Sequence, residues 1–236
     1  MQLFYNKDIS KETTQITFDK VESRHIVKVL RKKEQDILTI TNGKGILFNA
    51  EITIASDKKC IARIVDFEEK LKPWNYYLHI AIAPTKNNDR LEWFLEKATE
   101  IGIDEITPII CQNSERRTVK KERLKKVVLS AMKQSLKFQL PKLNDKIKFS
   151  DFINQEIDHQ FLIAHCEEGK KDTLKSIVIK DTKITILIGP EGDFSPQEIS
   201  KALSKKITPI TLGSSRLRTE TAALVAVQNI AFSHQV

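Results

Sequence analysis

From residue 77 onward the chain alternates short apolar runs with longer stretches of helical periodicity. That alternation limits the architecture more than any other feature. Tyr77–Ala83, Ile106–Ile110, Phe161–His165, Ile184–Ile188 and Ile207–Leu212 read as strands. Ile184–Ile188 is apolar at every position but Thr185, the pattern of a strand buried on both faces. Asn88 reads as the cap of a helix in which Leu91, Phe94, Leu95 and Ala98 recur at i, i+3, i+4 and i+7, and Gly102 stops it. A second helix is expected over 119–137, with Leu124, Val127, Val128 and Ala131 inward and its lysines outward. Ser195-Pro196-Gln197-Glu198 is a capping box with proline at the first helical position, and a last helix covers Glu220–Phe232. Strands alternating with helices imply a parallel sheet covered on both faces, so the fold class is α/β.

The first 70 residues follow another pattern. Thr14–Phe18, Asp36–Thr41, Gly45–Ile54 and Lys59–Phe67 are β-type runs, and Asn42-Gly43-Lys44-Gly45 is turn chemistry between two of them. One helical piece, Ser23–Leu30, interrupts, with Ile26, Val29 and Leu30 expected on one face. Lys72-Pro73-Trp74 reads as a linker. The expected domains are 1–70, a small β-rich unit, and 74–236, the α/β unit.

No apolar run reaches the roughly 18 residues of a membrane span, and the N-terminus carries no signal-peptide pattern. Cys60, Cys111 and Cys166 are far apart and odd in number, which excludes a disulfide framework and a CxxC metal site. The expectation is a cytoplasmic, reduced, metal-free protein. Lys and Arg number 39 against 31 Asp and Glu, a net charge of +8. The excess is concentrated. Between Arg116 and Lys148 twelve basic residues face only Glu122 and Asp145, and Lys28, Arg31, Lys32 and Lys33 form a second cluster. Such clusters suit a phosphate backbone and equally suit a solvated helix face.

Two loops carry the chemistry. Gly189-Pro190-Glu191-Gly192-Asp193-Phe194 lies at the carboxyl end of a buried strand and before a capped helix, where open α/β sheets bind ligands. Gly189 and Gly192 would let backbone approach a ligand closely, although a tight strand-to-helix turn uses the same residues. Neither GxxxxGK[ST] nor GxGxxG occurs, so the usual nucleotide readings fail. The second loop, Leu212-Gly213-Ser214-Ser215-Arg216-Leu217-Arg218, also joins a strand end to a helix start. Thr219 can cap that helix and Glu220 complements its dipole. Arg216 and Arg218 would sit near the positive end of the dipole, which a bound anion would explain.

Taken together, Gly189-Pro190-Glu191-Gly192 and Leu212-Gly213 … Leu217-Arg218-Thr219-Glu220-Thr221-Ala222 resemble the RsmE family of ribosomal RNA methyltransferases, within the SPOUT class. His25 … Val29-Leu30-Arg31 … Asp36, Lys86 … Arg90-Leu91-Glu92 … Lys97-Ala98-Thr99-Glu100-Ile101-Gly102 and Gln134-Ser135 … Pro141 extend the resemblance over nearly the whole chain. Asp193 departs from it, standing where the family often has glycine; so do Arg216, Lys133 and Lys137.

The resemblance implies an N-terminal PUA-like β-barrel and a C-terminal SPOUT domain with a trefoil knot, assembled as a homodimer. It implies S-adenosyl-L-methionine as cofactor and methylation of N3 of a uridine in 16S rRNA of the small ribosomal subunit. The cofactor residues would be His165, Gly189, Pro190, Glu191, Gly192, Leu212, Gly213, Ser215, Leu217 and Thr219. Uridine N3 must lose its proton before it attacks, so Glu220 is the candidate base and Arg218 the candidate stabiliser of the anion. The two side chains could instead simply pair. Arg24, His25, Arg31 and Lys32 on the small domain, and Lys86, Arg90, Arg116 and Arg117 on the large one, are the candidate RNA contacts. The rival readings are a SPOUT enzyme acting at a different RNA site and a non-enzymatic RNA-binding ribosome assembly factor.

Overall fold

The computed structural model describes residues 2–174, 177 and 183–234. The chain forms two compact units: Met1–Pro73 with Met132–Leu140, and Trp74–Ala131 with Pro141–Val236.

The first unit contains β1 (Leu3–Tyr5), β2 (Gln15–Thr17), α1 (Lys20–Arg24), a π-helical segment His25–Val29, β3 (Ile37–Thr41), β4 (Ile46–Ile54) and β5 (Ile61–Glu69). The sheet order is β1-β3-β4-β5-β2. β1 pairs with β3 in parallel and the other pairs are antiparallel. Alternation decides the inner face: Phe48, Ala50 and Ile52 of β4 join Leu38 and Ile40 of β3 in one core. The helical piece differs from expectation. The Leu30 N–H donates to the His25 carbonyl at 2.9 Å, five residues back. This wider winding turns Val29 out, 66% exposed, while Val27 and Leu30 pack on the core beside Ile26.

Met132–Leu140 belongs with this unit, although the sequence reading placed it with the α/β domain. The Gly45 N–H donates to the Phe138 carbonyl and the Leu140 N–H to the Gly43 carbonyl, both at 2.8 Å. Gly43 has φ +72, and a Cβ there would meet Leu140 Cβ and the Tyr5 ring at 3.0 Å. The turn glycine thus serves a close approach as well as a bend.

The second unit contains β6 (Tyr77–Ile82), α2 (Asn88–Ile101), β7 (Glu105–Ile110), α3 (Lys121–Gln134, whose last residues fall in the first unit), β8 (Lys142–Leu143), β9 (Ile147–Lys148), α4 (Phe149–Phe152), β10 (Gln160–Ala164), β11 (Asp172–Thr173), β12 (Lys183–Ile188), α5 (Pro196–Ser204), β13 (Thr208–Thr211) and α6 (Thr219–Ser233). The order β11-β13-β10-β12-β6-β7-β8 is parallel throughout. Asn87, not Asn88, caps α2, accepting the Asp89 N–H at 3.0 Å. Pro108 lies within β7, where the neighbour changes from β8, at Glu105–Ile106, to β9, at Ile109–Ile110. A residue without an N–H fits that gap in the ladder. Leu187, Phe194, Ile199 and Phe152 fill one face of the sheet. α2 and α6 pack together, and α6 also packs on β6 and β12.

A buried polar strip crosses this sheet. The His79 Nε2 and Thr107 Oγ1 lie 2.7 Å apart, and Asn144 Nδ2 donates to Thr107 Oγ1 at 2.7 Å and to Glu105 Oε1 at 2.5 Å. Lys142 and the Tyr77 hydroxyl also donate to the Glu105 carboxylate. Burial lowers the His79 pKa to about 4, because the cation is poorly solvated there. Burial alone would raise Glu105, but its hydrogen bonds from Tyr77, Asn144 and Lys142 prevail and hold it at about 2.

Candidate active site at the strand ends

Because β10 lies between β13 and β12, the loops that leave the carboxyl ends of these three strands start side by side. They begin at His165, Gly189 and Leu212. Hydrogen bonds lace them together. The Thr219 hydroxyl donates to the Gly189 carbonyl at 3.1 Å. The Cys166 N–H donates to Asp193 Oδ2 at 2.7 Å, while Asp193 Oδ1 accepts the Phe194 N–H at 2.8 Å. Asn113 Nδ2 donates to the carbonyls of Gly192 and Asp193, each at 3.1 Å. Asp193 has φ +60, a left-handed conformation that Gly adopts freely and Asp tolerates better than most residues. That backbone suits either glycine or Asp at this position. Here the carboxylate adds a tie between two loops.

A cavity of about 460 Å³ lies between the first and third loops. Its walls include His165, Leu212, Gly213, Ser215 and Leu217, all anticipated from sequence, with Cys166 beside His165, together with Lys171 and Thr211, which were not. Both ring nitrogens of His165 are buried and have no hydrogen-bond partner. Burial, and next the Lys171 ammonium, push its pKa below the ordinary value, so the ring is neutral and offers one donor and one acceptor. Lys171 itself is tied to the carbonyls of His165 and Glu167, at 3.0 and 2.5 Å.

Gly189, Pro190, Glu191 and Gly192 do not line this cavity. A Cβ on Gly189 would lie 3.1 Å from the Phe194 ring, so that glycine admits a close protein neighbour, whereas one on Gly192 would lie at an ordinary contact distance of 3.4 Å from Asn113 Cβ. Glu191 accepts the Lys86 N–H at 2.9 Å, which ties its loop to the start of α2. Thr219 is not the cap of α6. Arg218 occupies that position, and Thr219 is the first helical residue, turned to Gly189.

Glu220 is buried, 6% exposed. Its Oε1 lies 3.7 Å from Nε of Arg90, and its Oε2 has no hydrogen-bond partner. The pairing of Glu220 with Arg218 that sequence left open is thus absent, and Arg90 takes that place. Arg218 and Arg216 are exposed, and no described residue pairs with either guanidinium.

The basic residues singled out for RNA divide. Arg116 directs Nε and Nη2 at the Lys86 carbonyl, at 3.0 and 2.6 Å, and so braces the loop before α2. Arg117 donates to the Gln112 carbonyl at 2.9 Å and stays exposed. Lys86 pairs with Glu115 at 2.9 Å. In the first unit Arg24 and Arg31 are exposed, Lys32 is half-buried, and His25 lies 3.5 Å from Glu22.

A family model of the RNA methyltransferase domain matches residues 72–231, and one of the RNA methyltransferase PUA domain matches residues 18–65. The Rickettsia conorii protein named ribosomal RNA small subunit methyltransferase E is 34% identical over 211 residues, covering 87% of this chain and 85% of its own. A crystal structure from Porphyromonas gingivalis is 41% identical with a TM-score of 0.92, covering 99% of this chain and 98% of that one. A Neisseria gonorrhoeae ribosomal RNA small subunit methyltransferase E bound to S-adenosyl methionine is 26% identical with a TM-score of 0.85, covering 99% and 98%.

Proposed function

The chain belongs to the RNA methyltransferase family, whose model spans its residues 72–231, and we propose that it methylates N3 of a uridine in 16S rRNA of the small ribosomal subunit. The observation that carries this reading is a pair of unmet buried polar groups: the His165 ring in the cavity wall, and Oε2 of Glu220 in the first turn of the helix that follows the third loop. Buried polar atoms without partners are rare, and each calls for an explanation.

The cavity fits S-adenosyl-L-methionine. Its walls offer backbone donors and acceptors from Thr211 to Leu217, a neutral imidazole, and apolar surface from Leu212, Leu217 and Ala222. Adenine, ribose and an amino-acid end need such a mixture. Gly189, Pro190, Glu191 and Gly192 form the neighbouring loop, held by bonds from Thr219 to Gly189, from Lys86 to Glu191 and from Asn113 to Gly192. The cofactor, when bound, supplies an electrophilic methyl group on sulfur. The chain has to place uridine N3 in line with that methyl and remove the N3 proton. Arg90 holds Oε1 of Glu220 and leaves Oε2 to accept the proton. The Arg218 guanidinium, unpaired and exposed at the head of α6, stabilises the uridine anion.

Arg24, Arg31 and Lys32 in the first unit and Lys86 and Arg117 in the second contact RNA phosphates, and His25 faces the same ligand. Arg90 and Arg116 act mainly by positioning. The working molecule is a homodimer. α6 supports this, being apolar nearly all round, with Leu224 and Val225 half-buried and Phe232 68% exposed. No described helix is long and apolar enough to cross a membrane, and a ribosomal substrate puts the protein in the cytoplasm.

The test is methyl transfer from labelled S-adenosylmethionine to small subunits lacking the modification, with the labelled nucleoside identified by mass spectrometry. 3-Methyluridine at one site is the expected result. Another methylated nucleoside would overturn the target, and absence of cofactor binding would overturn the reaction.

A further inference from the structure

A second hollow of the parallel unit gathers Arg117, named above as an RNA contact, with three lysines that the proposed reaction does not use. It lies at the carboxyl end of β7, has a volume of about 680 Å³, and is bordered by the segment 146–151 and the first turns of α5. Arg117, Lys146, Lys148 and Lys201 stand around it against two carboxylates, Asp151 and Glu198. Glu198 is already engaged: Oε1 accepts the Gln112 N–H at 2.8 Å and Oε2 the Ser195 N–H at 3.0 Å. Asp151 accepts the Ser150 hydroxyl at 3.0 Å. Arg117 and Lys146 each give one N–H to a carbonyl, of Gln112 and Arg117 respectively, and keep other donors. Lys148 and Lys201 are exposed, and no described residue gives either ammonium a partner. Four cations against two carboxylates leave an excess of positive charge around one hollow, which an anion offsets. Ile110, Cys111, Ile147 and Phe149 add apolar atoms to the lining. A lining that combines cations with apolar atoms suits a nucleotide unit, which carries both a phosphate and a base.

We propose that this hollow is a phosphate-anchoring subsite for single-stranded RNA, distinct from the cofactor cavity and holding backbone that flanks the modified uridine. It rests on the methylation reading above. Lys148 and Lys201 are its main contacts, with Arg117 and Lys146 beside them.

The probe is a fluorescein-labelled single-stranded uridine oligonucleotide, its binding followed by anisotropy over a salt series. Each phosphate contact on a single strand adds about 0.7 to the slope of log K against log salt. Lys148→Glu/Lys201→Glu should lower that slope by about 1.4 and weaken binding at least tenfold at low salt, with S-adenosylmethionine affinity unchanged. Lys183→Glu/Lys205→Glu makes the same change of net charge at the amino ends of the strands and should leave the slope as in wild type. An unchanged slope in the first variant, or an equal fall in both, overturns the subsite. If the first variant loses cofactor binding, Lys148→Gln/Lys201→Gln carries the same comparison. A wild type that methylates subunits but shows no salt-dependent oligonucleotide binding overturns the subsite alone. A wild type that binds the oligonucleotide and transfers no methyl overturns the functional reading alone.

Discussion

Replacing His79 by glutamine should flatten the acid sensitivity of the parallel unit. In the folded chain His79 is 8% exposed and binds a proton only near pH 4, whereas the ordinary value is 6.5. Between those values the unfolded chain holds a proton that the folded chain refuses. Stability therefore rises with pH across the window and is lost as pH falls from about 6.5 to about 4. A difference of some 2.5 pKa units, integrated to pH 4, amounts to about 3 kcal/mol. Glu105 adds a separate step. Its folded pKa of about 2 lies below the usual carboxylate value, so its contribution is complete above about pH 4.5 and disappears as pH falls toward 2. A glutamine side chain can still face Thr107 through its amide but takes no proton. Urea unfolding should be followed by tryptophan fluorescence, because both tryptophans, Trp74 and Trp93, lie in the parallel unit. Between pH 7 and pH 4 the wild type should lose about 3 kcal/mol more than His79→Gln, whatever the variant's stability at pH 7. Equal losses in the two proteins would refute the assignment of this step to His79.

Three further outcomes follow from the site. Arg218→Ala should keep the fold and cofactor affinity and lower methyl transfer about a hundredfold, the usual effect of losing one donor to a developing anion; single-turnover transfer to small subunits measures it. Asp193→Asn keeps a residue tolerant of φ +60 but replaces one of two accepting oxygens. Calorimetry should show S-adenosylmethionine binding about tenfold weaker, equivalent to about 1.4 kcal/mol for one charge-assisted bond, and unchanged affinity would remove the tie from the account. Gly189→Ala puts a methyl against the Phe194 ring at 3.1 Å and the Phe194 backbone nitrogen at 3.2 Å. Overpacking of this kind costs about 1–3 kcal/mol, visible as a lowered thermal midpoint.

The parallel sheet was legible because burial on both faces leaves a local signature, as at Ile184–Ile188 and Tyr77–Ala83. What escaped was structure without a period of its own. β8, β9 and β11 are two residues each, too short for an alternation to register. The winding at His25–Val29 was hidden for another reason. A hydrogen bond one residue longer than in an α-helix changes which side chains face inward, so a reading at about 3.6 residues per turn put Val29 on the wrong side. The return of Met132–Leu140 to the first unit depends on backbone bonds to Gly43 and Gly45, which no pattern within 119–140 announces.

At the site, spacing identified the loops but not their partners. Arg90 and Glu220 lie far apart in sequence and meet only because α2 and α6 pack together. Likewise Thr219 looked like a cap, since a hydroxyl at a helix start usually caps, yet its bond to Gly189 crosses between loops. The groups that found partners inside the protein are structural: Thr219, Asp193, Asn113, Glu191 and Arg116 all brace backbone. The buried groups of the site left unmet are the His165 ring, after β10, and Oε2 of Glu220, in the first turn of α6, while the Arg218 guanidinium beside it is exposed. A folded chain keeps buried polar atoms unsatisfied only at a cost, which a ligand offsets when it binds. On that reasoning the bracing residues should act on cofactor affinity without touching the cofactor, whereas Arg218 should act on the rate alone. Asp193→Asn and Arg218→Ala separate the two effects, because one changes binding at constant chemistry and the other changes chemistry at constant binding.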